Sequence, residues 1–192
     1  MAIGGLDRAG RLEQLRNFAR VQVWSGYGSA AEVRAEVFDA VRAEVSDGAQ
    51  AQRLTEEYIA EADRSLVAAA TSWPDQTDVD RLDAALAELE ASDLVVLRAV
   101  DDHWAANEAL QRRTETTGKP PLGVAYFTVT DVWHAVENAM LELNVWHGSS
   151  ANVAPGDPLL DMVLNVLHRH GFAAEFDEGR IEVSVLWQRR PS

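Results

Sequence analysis

The chain has 192 residues, 47% hydrophobic and 25% charged, the profile of a folded globular protein long enough for one domain or for one core with an added lobe. Seventeen basic against thirty-one acidic residues give a net charge of −14, which repels phosphate backbones and anionic membranes, so neither nucleic acid nor a membrane surface is an expected partner. There is no Cys, which excludes disulfides, thiolate nucleophiles and cysteine-based zinc or iron–sulfur centres.

The N-terminal stretch lacks the apolar core of a signal peptide, and no run approaches the ~18–20 apolar residues needed to span a bilayer. The expected compartment is the cytoplasm. A first helix is predicted from Leu12, Leu15, Phe18 and Ala19, which recur at helical spacing. "SAAE", Ser29 to Glu32, has the capping-box pattern, and Val33, Val37, Val41 and Val45 succeed it at intervals of four as one apolar stripe. Gly48 is placed as the stop of that helix. Leu54, Tyr58, Ala62 and Leu66 form a third stripe, broken at "WPDQTD" because Pro74 disfavours helical geometry at Trp73. Val79, Leu82, Leu86 and Leu89 make a fourth.

From Asp93 the period changes. "DLVVLRAV" reads as a buried strand, and Asp101 or Asp102 is placed as the cap of a helix running towards Thr117. "LGVAYFTV" from Leu122 is a second buried strand, followed by a short helix through Asn138 capped by Thr130 or Asp131. Leu141, Leu143 and Val145 alternate with Glu142, Asn144 and Trp146, a strand with one wetter face. "GDPLLDMVLNVLHRHG" carries Asp157 as N-cap, Pro158 in the first turn and Gly171 beyond the end. "FAAEFDEGRIEVSVLW" reads as a closing hairpin around Asp177–Gly179.

The expected fold class is α+β: an N-terminal helical region, residues 1–92, followed by a five-stranded mixed sheet with covering helices in an α/β region, residues 93–192, the two packed as one compact unit. The helix after Asp102 is long enough for a crossover, so its flanking strands are expected to be parallel. The helix after Asp131 is too short for one. Nine helical residues rise only ~13 Å, while a seven-residue strand spans ~23 Å. The strand at Leu141 is therefore expected to be antiparallel, giving the mixed sheet.

Position in the chain singles out the candidate site residues. Asp101, Asp102 and His103 come after the first strand, Asp131 and His134 after the second, and His147 after the third, with Ser149 and Ser150 close behind. Ligands of open α/β sheets gather outside the carboxyl ends of strands, where Asp can orient His and His can act as a base. Convergence of all these groups requires three parallel strands, which the short second connection opposes. The bland reading is that the carboxylates cap helices. His134 and Glu137, three apart on one helix face, form a two-ligand pair of a kind common by chance. The five His are dispersed apart from His168 and His170, which point apart on a helix, so no metal site and no cofactor is expected.

The stretches "VWSGYGSAAEV", "WPDQTDVDRLDAALAELEA", "GVAYFTVTDVWHAVE" and "GFAAEFDEGRIEVSVLWQRR" carry a resemblance, over most of Val23 to Arg190, to a family of uncharacterised actinobacterial proteins described as a domain of unknown function. That family commonly carries a Cys-Cys-x-x-Cys-Gly run where this chain has "DDHWAAN". The resemblance implies no activity. The leading expectation is a non-enzymatic binding or interaction protein with an unknown protein or small-molecule partner and an open oligomeric state. The alternative is a small hydrolase-like enzyme using Asp, His and Ser groups at strand ends.

Overall fold

The computed structural model describes residues 7–191. Seven helices and five strands lie among them, four helices first and then strands and helices in turn, closing on two strands. The fold is α+β, as the switch in period predicts. The chain divides into two compact units, one formed by the chain up to Pro74 together with Arg189 onwards, the other by Asp75–Gln188.

The first unit holds α1 (Arg8–Ser25), α2 (Ala30–Glu44) and α3 (Gly48–Ala70). Asp7 caps α1 by accepting from the Gly10 N–H at 2.8 Å. The Ser29 capping box is present in both directions, Glu32 N–H to Ser29 Oγ at 3.2 Å and Ser29 N–H to Glu32 Oε2 at 2.8 Å. Val33, Val37, Val41 and Val45 pack with Leu15, Ala19, Ala51 and Tyr58 into one core. Gly48 is not a stop: it is the first residue of α3, and Asp47 caps that helix by accepting from Gln50 N–H at 2.8 Å. An Asp beside the Gly supplied a start signal that outweighed the Gly stop signal. Trp73 is half-buried, with its ring edge-on to Trp24 at 6.5 Å.

The second unit is built on a sheet of order β1-β2-β3-β5-β4, from β1 (Leu94–Val100), β2 (Gly123–Thr128), β3 (Met140–His147), β4 (Ala174–Asp177) and β5 (Arg180–Ser184). β1 and β2 are parallel and joined through α5 (Trp104–Thr117); β3 runs antiparallel to β2 after the short α6 (Val129–Asn138). β5 pairs antiparallel with both β3 and β4. The β4–β5 turn, Glu178-Gly179, has positive φ at both residues (43° and 92°), the backbone of a tight hairpin loop whose twist matches its strands.

The two faces of the sheet differ. Phe127, Leu141, Leu143, Ile181 and Val183 are fully buried on one. Two further helices cover that face, α4 (Asp78–Ala91) and α7 (Pro158–Arg169), which pack on each other. Arg98 reaches from β1 to Glu90 of α4 at 3.0 Å, and a Cβ on Gly123 would meet Leu159 of α7 at 2.9 Å. On the other face Val95 and Leu97 lie beside Val124 and Tyr126, and Ala106 and Leu110 of α5 cover them. Beyond α5 this face continues through Asn144, Glu142, Glu182 and Arg180, with α6 against β3 beside Glu142.

The alternation along β3 sets a test. Leu143→Ala should destabilise by ~2–5 kcal/mol, the range for emptying a buried Leu site, whereas Asn144→Ala on the wetter face should change stability by less than about 1 kcal/mol. Urea denaturation of the two variants would measure both, and equal losses would contradict the assignment of faces.

Candidate functional site

A groove of about 560 Å³ lies on the wetter sheet face, where the carboxyl ends of β1 and β2 meet the first half of β3 and the β4–β5 turn. Its side chains include Asp101, Asp102 and His103 after β1, Tyr126 of β2, Asp131 and His134 of α6, Glu142, Asn144 and Trp146 of β3, and Glu178 and Arg180 of the hairpin.

Asp131 is the anchor. It is not the N-cap of α6; that residue is Thr128, and Asp131 is the third helical residue of a capping box. Its Oδ2 accepts from the Thr128 backbone N–H at 2.7 Å and from Thr128 Oγ1 at 2.8 Å, while Asp131 N–H donates to Thr128 Oγ1 at 3.3 Å. The sequence expectation of a cap at Thr130 or Asp131 was displaced because the helix begins directly at the end of β2, leaving no turn between them. Asp131 is 6% exposed. Burial pushes its carboxyl above the ordinary Asp value, the Thr128 hydrogen bonds pull it down, and the neighbouring Glu142 carboxyl, hydrogen-bonded to it, pushes it further up.

His134 lies one turn along α6, on the same face as Asp131. One ligating atom each from Asp131, His134 and Glu142 fall within 4.8 Å of one another. Glu142 is also ion-paired with Arg180. The Tyr126 hydroxyl is pushed up to about 12, first by burial and then by the Asp131 charge, so it stays a neutral phenol. Its ring meets Trp146 edge-on at 5.0 Å, and Trp146 meets His103 at 6.3 Å, making an aromatic floor.

Of the residues singled out from sequence, Asp102, His103, Asp131 and His134 line this groove. Asp102 also accepts from Trp104 N–H at 2.8 Å at the start of α5. His147 does not join them. Because β3 is antiparallel, its last residue pairs with Gly123 at the start of β2, at the opposite sheet edge. There His147 Nε2 bonds Asp157 Oδ2 at 2.6 Å. Ser149 and Ser150 line a separate groove with Asn107 and Leu110 of α5. His168 and His170 also have structural partners: His168 Nε2 meets the Ala174 carbonyl at 2.9 Å and His170 Nε2 meets Glu88 at 2.9 Å. Glu142, Tyr126 and Arg180 were missed. The available signal was the polar phase of β3, since Glu142 precedes two further polar-face positions and needed only the antiparallel direction to reach the site.

Asp157 gives a pH test at the other edge. The Leu159 N–H, and then His147, hold its carboxyl below the usual Asp range. A depressed native value means that the carboxylate stabilises the fold above the ordinary Asp pKa of ~3.9 and loses that contribution as pH falls through the lowered value. The thermal midpoint of the parent chain should therefore exceed that of Asp157→Asn at pH 7, and the gap should close as the buffer is taken below ~3.9. A gap of the same size at pH 7 and pH 3 would contradict this.

Among the described residues no helix is long and apolar enough to cross a membrane. No curated protein and no solved structure matches the chain. One family model matches almost its whole length, residues 8–191, and the chain therefore belongs to the family described as Domain of unknown function (DUF6891).

Proposed function

We propose that this chain is a non-enzymatic, cytoplasmic binding protein whose sheet groove selects positively charged ligands. One observation carries the reading. The groove is lined by five carboxylates, Asp101, Asp102, Asp131, Glu142 and Glu178, against one guanidinium, Arg180. The surplus extends along the same sheet face, where Glu142, Glu182 and Glu175 stand directly opposite one another across β3, β5 and β4. Like charges opposite each other in a sheet are destabilising. A bound cation relieves that repulsion.

The net charge of −14 supports the exclusion of nucleic acid and anionic membranes as partners. The lack of Cys fits a reducing compartment. The alternative, a hydrolase-like enzyme, loses its serine-based form: Ser149, Ser150 and His147 stand at the sheet edge away from Asp131 and His134, and His147 is engaged by Asp157.

Titration followed by ¹H–¹⁵N correlation spectra tests the reading with spermidine and arginine amide as cationic probes and glutarate as the anionic control. Shifts should concentrate on Asp101–His103, Tyr126, Asp131–His134 and Glu142–Asn144 with the cations only. Cation shifts scattered away from these residues, or glutarate shifts on them, would overturn it.

A further inference from the structure

We infer that Asp131, His134 and Glu142 form a binding site for a divalent first-row transition-metal ion, of the Mn²⁺, Co²⁺ or Zn²⁺ kind. The inference rests on the reading of the groove as selective for positive charge and names one chemical class of ligand for it.

Two carboxylate oxygens and one imidazole nitrogen lie within 4.8 Å of one another. Ligands held at ~2.1 Å around one ion are at most ~4.2 Å apart, so the three groups close on an ion with side-chain adjustments of a fraction of an ångström. They also stand on firm supports. Asp131 is fixed by three hydrogen bonds with Thr128 and sits where β2 becomes α6. His134 lies three residues further along that helix, and Glu142 is central in the β3–β5 pairing.

The cluster is more than acidic. The His134 ring makes no hydrogen bond among the described residues, although it stands half-buried beside two carboxylates. A histidine in such a place ordinarily pairs with one of them, as His147 does with Asp157. An imidazole lone pair, a nine-tenths-buried carboxylate and a second carboxylate pressed against the first are a donor set for a metal. The imidazole also decides which metal: Mg²⁺ and Ca²⁺ take oxygen ligands, while a mixed nitrogen and oxygen set suits Mn²⁺, Co²⁺ or Zn²⁺. Three protein ligands leave coordination positions open towards the groove.

Arg180 gives the site a competitor. Its guanidinium pairs with Glu142 but is itself half-exposed at the hairpin turn, with 53% of the side chain accessible. A metal ion arriving at Glu142 has to displace it, and the exposed side chain can swing out into water. Removing Arg180 should therefore tighten metal binding rather than weaken it, by up to about fivefold, the range set by an exposed ion pair.

The test is titration of the chelator-treated full chain with Co²⁺, followed by its visible d–d absorption, with Zn²⁺ as competitor and Mg²⁺ and Ca²⁺ as controls. The parent chain should bind one Co²⁺ that Zn²⁺ displaces and millimolar Mg²⁺ or Ca²⁺ does not. No sulfur charge-transfer band should accompany it, because the chain has no Cys. His134→Ala and Glu142→Gln, neither of which removes a hydrogen bond of the Thr128 capping box, should each weaken binding tenfold or more, and Arg180→Gln should tighten it. Loss of stoichiometric Co²⁺ binding in the parent chain, equal binding by His134→Ala, or displacement by Mg²⁺ would overturn the inference. Spermidine shifts in the groove with no Co²⁺ site would retire the metal and leave the cation-selective groove standing. Glutarate shifts there would retire the groove reading, whatever Co²⁺ does.

Discussion

A ten-residue helix cannot carry the chain from the end of β2 back to its beginning. α6 rises ~15 Å, while the six residues of β2 span ~20 Å. β3 therefore turns back beside β2 instead of running with it, and the second unit takes its form from that reversal. It makes the sheet mixed and leaves β5 and β4 to add as an antiparallel hairpin. It also decides which end of β3 faces the carboxyl ends of β1 and β2. The first residues of β3 arrive there, and Glu142 comes with them; the last residues, and His147, are carried to the far edge.

Asp131 shows how one side chain serves the fold and creates a chemical problem at the same place. α6 starts at the last residue of β2, so its free N–H groups emerge inside the structure and need a partner. Asp131 supplies one through the Thr128 capping box, and is buried in doing so. Desolvation opposes the charge that the box favours, and Glu142, held by the β3 register, places a second carboxyl against it. A proton, Arg180 or a cation can resolve that conflict. A proton would neutralise Asp131, Arg180 reaches Glu142 from the start of β5, and a metal ion would satisfy both carboxylates at once.

The element order was legible because each half of the chain keeps its own period: valines at intervals of four in α2, alternation of Leu141, Leu143 and Val145 in β3. The antiparallel course of β3 was legible from length alone. Local starts were less so. Gly48 and Asp47 send opposite signals one residue apart, and sequence cannot say which is used until packing fixes where α3 begins. Thr128 was hidden as a cap because it also reads as part of a strand. For the site, attention to the residues just after each strand found Asp102, His103, Asp131 and His134. It missed Glu142, which lies inside a strand, and Arg180, which opens β5 far along the chain. It included His147 only on the parallel alternative. The missed Glu142 and the misplaced His147 thus trace to one fact, the direction of β3, applied to strand assignment but not carried through to side chains.

The distribution of charge shows why the groove stands apart from the rest of this acidic chain. Elsewhere several carboxylates have an arginine partner: Arg11 with Glu44, Arg34 with Glu56, Arg98 with Glu90, Arg113 with Asp93, Arg169 with Glu88. Such exposed pairs add little stability each, but they keep local repulsion low. On the open sheet face Arg180 alone meets Glu142, while Asp101, Asp102, Asp131 and Glu178 surround it. Sites that break a local rule of stability without compensation within the fold are where function is to be sought, and here the missing compensation has a sign: it is positive.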